Sequence, residues 1–195
     1  LIMPFHPNIN DTLTIDGVHH RIAAHPAAPG MPYGQTGRRA TVYQVVAPDN
    51  NRYALKVFTA AFRSPRVAEG ATRLHPFTRL PGLQACARTT LTPAQHPALL
   101  QQHPDLACAV LMPWVSGETW QEILLAEEPL TPDQSQRLAQ TFVHILATLE
   151  QQGMAHCDLS GPNVLITHNP LTVALVDLED LYGPDLAQPD KLPGG

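Results

Sequence analysis

Near the end of the chain, Asp158, Asn163 and Asp177 have the types and the spacing to act together. They lie in the stretch HCDLSGPNVLITHNPLTVALVDLE, from His156 to Glu179. Two carboxylates and a carboxamide suit a hard cation such as Mg²⁺, which is usually held by one or two carboxylates together with substrate phosphates. A carboxylate beside an attacking hydroxyl can also serve as general base or orienter, a role worth roughly 10²–10⁴ in rate.

The backbone must fold back on itself for these groups to share one mouth. HCDLSGPN reads as a tight polar loop, VLIT as a short strand, Asn169 and Pro170 as a turn, and VALVDL as a second strand that ends on the acid. An antiparallel return then sets the polar residues before the first strand beside those at the end of the second. Upstream, Thr131–Gln152 carries a helix signature: Thr131 as cap, Pro132 in the first position and Gln134 closing a capping box. Leu138, Phe142, Ile145 and Leu149 recur at helical spacing as a core stripe, Val143 and Leu146 widen it, and Gly153 ends the helix. His144 falls on its surface.

Earlier still, Asp16-Gly17 between two short alternating runs marks a hairpin over residues 12–24. The Pro- and Gly-rich stretch from His25 to Arg39 reads as loop. ATVYQVVA and RYALKVF read as strands joined by a PDNN turn. A helix follows, with Ser64 as cap, Pro65 in the first position and Glu69 within it. Five prolines confine residues 76–105 to short helical pieces, after which LACAVLMPWVSG forms a buried strand that runs out at Ser116 and Gly117.

Composition bounds the partners. The 195 residues are enough for one domain or two small lobes, and 44% hydrophobic residues can build a core. A net charge of −5 without a Lys/Arg run offers no footprint for nucleic acid or an anionic membrane. No apolar run reaches the roughly 20 residues that span a bilayer. Cys86, Cys108 and Cys157 form no CxxC pair and read as reduced thiols in a cytoplasmic protein. Ten scattered histidines show no zinc spacing.

The motif HxDLxxxN, an apolar strand and then Asp resembles the catalytic loop and metal-binding Asp of the protein-kinase-like superfamily. Asn163 follows Asp158 by five residues, as in that family. ALKVF is similar to its lysine-bearing strand. The resemblance implies an α+β, bilobal fold: an antiparallel N-lobe sheet plus a helix over residues 1–115, and an incomplete, mainly helical C-lobe over 116–195. It implies ATP and Mg²⁺ as cofactors and transfer to a Ser/Thr protein hydroxyl. Asp158 takes the role of base, Lys56 reaches the phosphates and Glu69 orients Lys56, Asp105 being the one competing acid. Asn163 and Asp177 hold the metal, and His156 is structural. The glycine-loop pattern falls on Gln35, Gly37, Ala40 and Val42, with Arg38 and Arg39 as solvated tip residues, and the hinge on Met112 and Val115.

The departures from that pattern shape the alternatives. Only Gly37 of the three glycine positions is glycine, which points to a pseudokinase scaffold. Glu179 two after Asp177, and Ser160 in place of the family's lysine, resemble the aminoglycoside and choline kinase branch and a small-molecule acceptor. Cys157 replaces the arginine that reads activation-loop phosphorylation and is expected to be a buried thiol. HCDLSGPNVL with LVDLEDLYGP looks most like bacterial kinase-like proteins. PDLAQPDKLPGG reads as a mobile segment, with the chain ending inside the activation segment. The missing helices would leave the apolar face of the 131–152 helix open to self-association or a partner chain.

Overall fold

The computed structural model describes residues 5–126, 129–184 and 186. Most of the expected mobile end, along with residues 1–4, 127 and 128, lies outside them. The chain divides into two compact units, one reaching to Thr72 and resuming over Arg88–Trp114, the other formed by Arg73–Ala87 and the chain from Val115 onward. It is an α+β protein with a curled antiparallel half-barrel sheet, a small second sheet and few helices.

The first unit holds the larger sheet. Strands β1 (Thr12–Ile15) and β2 (Val18–Ile22) form the hairpin legible in sequence, with Asp16 at φ 51° and Gly17 at φ 77°. That left-handed pair of residues is what a two-residue primed turn requires. The remaining strands are β3 (Gly34–Thr36), β4 (Ala40–Val46), β5 (Arg52–Phe58), β6 (Thr89–Thr90) and β7 (Val110–Pro113). Their order is β1-β2-β4-β5-β7-β6, with β3 on the first half of β4.

Strand β3 arises inside a stretch that reads as loop. Tyr33 donates its N–H to the Ala23 carbonyl at 2.7 Å and accepts from Gln44 N–H at 2.8 Å, so partners distant in sequence supply the ladder. Gly34 lets this edge lie close, since a Cβ there would meet the Tyr43 ring at 2.9 Å.

Cross-strand partners share a face, so the register sorts the sheet into two sides. One side is the core, where Leu13, Ile15, Ile22, Val45, Leu55 and Leu111 pack with Leu99 of helix α2 (Pro97–Gln102) and with Leu106. The other carries Ala40, Val42 and Gln44 of β4 beside Phe58, Lys56 and Ala54 of β5, and beyond them Val110 and Met112 of β7. Helix α1 (Arg66–Leu74) follows Ser64, whose Oγ accepts the Arg66 N–H at 3.3 Å. α1 crosses the boundary between the units, after Thr72.

The second unit contains β8 (Glu118–Thr119), β9 (Val164–His168) and β10 (Leu171–Leu175) in the order β10-β9-β8, and helices α3 (Trp120–Leu125) and α4 (Pro132–Gln151). The turn between β9 and β10 carries the cis Asn169–Pro170 bond. The capping box of Thr131 and Gln134 forms as read, and Gly153 ends α4 at φ 66°. A second capping box, Thr119 with Glu122, opens α3; its T-x-x-E signature stands in the sequence beside an unanticipated two-residue strand.

The core stripe of α4 is narrower than its periodicity implies. Ile145 and Leu149 are buried, whereas Val143 is 62% exposed and Leu138, Phe142 and Leu146 are half-buried. His144 is exposed, as read. Residues 73–87, which the sequence reading leaves in the first lobe, pack with the second unit because Gly82 fits against it. Its carbonyl accepts the Leu175 N–H at 2.7 Å, and a Cβ there, at φ +75°, would lie 2.7 Å from Ile145 Cδ1.

Gly117 gives a test of how β8 seats on β9. A Cβ would stand 2.6 Å from the Ile166 carbonyl oxygen, with φ at +135°. Gly117→Ala is expected to destabilise the protein by about 2 kcal/mol or more. Urea unfolding should show a lower midpoint with an unchanged slope; an unchanged midpoint would mean that the strand relaxes freely.

Candidate functional site

The polar loop before β9 is tied to the end of β10 by one residue. Val176 donates its N–H to the Asn163 carbonyl at 3.0 Å, and its own carbonyl accepts from His156 Nε2 at 2.8 Å. The Val164–Leu175 register is thereby extended one residue beyond the strands. Asn163, buried at the end of the Gly161–Asn163 turn, turns its side chain back to the loop. Its Nδ2 donates to the Asp158 carbonyl at 3.0 Å and to the Asp158 carboxylate at 3.1 Å.

Asp158 and Asn163 are thus in direct contact, and Asp177 is next in chain to the clamped Val176. Asp177 is not the last residue of a strand, as the sequence reading has it. β10 stops at Leu175, and Asp177 adopts a left-handed conformation at φ 60°, ψ 51°. Cys157 is left-handed too, at φ 64°. Such conformations in non-glycine residues cost on the order of 1 kcal/mol or more and persist where surroundings enforce them. Cys157 is half-buried where a buried thiol was expected, and its Sγ lies 3.6 Å from the Ala155 carbonyl. Among the described residues no disulfide joins Cys86, Cys108 or Cys157.

His156 is 1% exposed and holds the loop from beneath. Nδ1 accepts the Asp158 N–H at 3.3 Å while Nε2 donates to Val176, so the ring is neutral with its hydrogen on Nε2. Burial pushes its pKa below the ordinary 6.5, against the opposing pull of the Val176 carbonyl and the Asp158, Glu179 and Asp180 charges.

The sign follows from that direction. As pH falls through about 6.5 the unfolded chain takes up a proton that the folded chain resists, so His156's contribution is complete above that value and declines below it. Urea unfolding between about pH 7.5 and about pH 5.5 should show stability falling, with the fall reduced in His156→Gln, which keeps a donor for Val176 but does not titrate. An identical fall in the variant would remove His156 from this role.

Among the residues expected to bind nucleotide, Ala40, Val42, Lys56 and Met112 share the non-core face of the half-barrel. Lys56 is 7% exposed, and its Nζ lies 5.5 Å from the centre of the Phe58 ring. Gly37 donates its N–H to the Ala40 carbonyl at 2.9 Å, closing the β3–β4 turn. Arg38 is exposed, but Arg39 is not simply solvated: its guanidinium lies over the Phe62 ring at 5.7 Å. Glu69 sits in the first turn of α1 and is exposed, and among the described residues no ion pair joins it to Lys56. Asp105, the competing acid, is bonded to Arg63 at 2.7 Å. Val115 lies two residues after β7, where the chain re-enters the second unit.

Sequence reasoning passed over Arg88 and Thr90. β6 pairs Thr90 with Val110, the partner of Lys56, so Thr90 lies on the Lys56 face; its hydroxyl is buried without a hydrogen-bond partner among the described residues. Arg88, 9% exposed, places Nη2 3.7 Å from Met112 Sδ. A two-residue strand carries no alternation to reveal this. No family model and no curated protein matches the chain. Among the described residues no group of three or more His, Cys, Asp or Glu side chains forms a metal-ligand set, and no helix is long and apolar enough to cross a membrane.

Proposed function

We propose that the protein is an ATP- and Mg²⁺-dependent phosphotransferase of bilobal, protein-kinase-like fold, acting on a protein Ser or Thr hydroxyl. The observation that carries this reading is the bonding of Asp158, Asn163 and Val176. The HxDLxxxN loop closes on itself through Asn163 and is fastened to the residue before Asp177. A general base and two oxygen ligands for Mg²⁺ on nucleotide phosphates are the parts such chemistry needs. Support also comes from the sheet register, which sets Ala40, Val42, Lys56 and Met112 on one face. The chain order of strand, lysine-bearing strand, helix and strand accords with the resemblance.

In this reading Lys56 takes the phosphates, Asn163 and Asp177 hold the metal, and Asp158 orients the attacking hydroxyl. Glu69, exposed here, pairs with Lys56 only after α1 moves. The half-buried and exposed apolar residues along α4, Val143 among them, are where a second copy or a partner chain docks. Three cysteines outside any disulfide among the described residues accord with a cytoplasmic setting.

A scaffold that binds nucleotide without transfer is the second reading. Gly37 favours it, because the amide of the one surviving loop glycine is committed to Ala40 and not open to a phosphate. Glu179 keeps a small-molecule acceptor as the alternative substrate class.

Four substitutions in the natural protein separate these readings. Lys56→Met should weaken ATP binding or transfer, and Glu69→Gln should do so less. Asp177→Asn should cut Mg²⁺-dependent nucleotide affinity. Asp158→Asn should leave the Mg·ATP Kd within a few-fold while lowering turnover by about 10² or more, the mark of an interaction made chiefly in the transition state. Calorimetry with a labelled-ATP transfer assay measures both, and the label's destination identifies the acceptor class. Binding without transfer in the wild type would establish the scaffold; unchanged binding and transfer in Lys56→Met would remove the site assignment.

A further inference from the structure

A cleft of about 440 Å³ lies wholly within the first unit, where α2 runs beside the β1–β2 hairpin. Its volume is in the range of small-molecule sites. Leu13, Pro97 and Leu99 give it apolar walls, Gln102 adds a carboxamide, and no lysine or arginine lines it.

Its charge comes from Asp16. One oxygen, Oδ1, accepts from His96 Nε2 at 3.0 Å, while Oδ2 has no hydrogen-bond partner among the described residues; the Asp16 side chain is 59% exposed and that of His96 only 4%. His96 Nδ1 accepts the Thr92 N–H at 3.3 Å, so the ring's hydrogen sits on Nε2 and brings no positive charge to cancel the carboxylate. A carboxylate is thus held from behind by a buried imidazole, with one oxygen uncommitted beside an apolar-walled cleft.

We propose that this cleft binds an organic cation, a guanidinium or primary amine on an aliphatic stem, with the head on Asp16 Oδ2 and the stem along Leu13 and Leu99. Charge-assisted donation to a carboxylate fixes the head, and the methylene stem gains by burial. The proposal is independent of the phosphotransferase reading. The same chemistry is offered by a free diamine-like metabolite and by an arginine side chain on a partner peptide.

The test uses agmatine, its neutral counterpart butylurea and a short arginine-bearing peptide, titrated into the protein by calorimetry and by NMR. Asp16→Asn is a clean variant, because Asn-Gly is favoured in the same turn and its carbonyl still accepts from His96. Ala98→Trp, at an exposed lining position of α2, fills the cleft from the helix side and leaves the hairpin's own residues unchanged. Saturable binding of agmatine or the peptide is expected, weaker by about tenfold or more in Asp16→Asn, lost in Ala98→Trp and absent for butylurea. Peptide binding with no agmatine binding would assign the source to a protein partner. Equal binding by Asp16→Asn or of butylurea, or no saturable binding of either cation at millimolar concentration, would overturn the proposal.

Discussion

Val176 is where the second unit's polar loop and its small sheet become one object. Its N–H and carbonyl are spent on Asn163 and His156, residues that flank the loop from opposite ends. Each bond is individually worth only about 1 kcal/mol net. Their partners His156 and Asn163 are buried, however, so an unmade bond would leave a desolvated polar group at about 1–3 kcal/mol. The loop therefore has few ways to rearrange without exposing that cost.

From this clamp follow the two strained conformations nearby. Cys157 must turn left-handed for the chain to pass from the buried His156 to Asp158, whose N–H bonds back to the ring. Asp177 turns left-handed directly after the clamped residue, sending the chain into the Leu178–Asp180 turn while Leu178 and Leu181 are buried. The Ala155–Tyr182 pairing, with bonds of 2.9 and 2.8 Å, brings the far side of that excursion back beside the loop's start. Hydrogen bonds and burial on both flanks hold what local preference alone would not.

In the first unit the corresponding constraint is sheet register. A shift of one residue between β4 and β5 would exchange the apolar core side for the side that carries Lys56. The buried row of Val45, Leu55 and Leu111 forbids that slip, since it would carry core side chains toward the other face. Core packing on one side thereby fixes which residues accompany Lys56 on the other, Arg88 and Thr90 included.

Local chemistry made much of this legible from the sequence. Asp16-Gly17 can hardly be anything but a tight turn, Thr131-Pro132 with Gln134 writes a helix start, and the apolar runs around Asn169-Pro170 write a strand pair; the turn and the helix start form where read, and the strand pair forms with its second strand over Leu171–Leu175, short of the acid. The 156–163 loop and its contact between Asp158 and Asn163 follow from a motif with fixed spacing. What tertiary structure decided are the features whose partners lie far along the chain. β3 exists because Ala23 and Gln44 reach Tyr33, residues 73–87 join the second unit because Gly82 meets Ile145 and Leu175, and α4 buries only the part of its stripe that finds a neighbour. Asp177 left its strand because the hydrogen bonds of Val176 end the ladder there. Turn and cap preferences act within a few residues and survive in the sequence; pairing, burial and backbone strain depend on which distant surface arrives, and that is set only when the chain has folded.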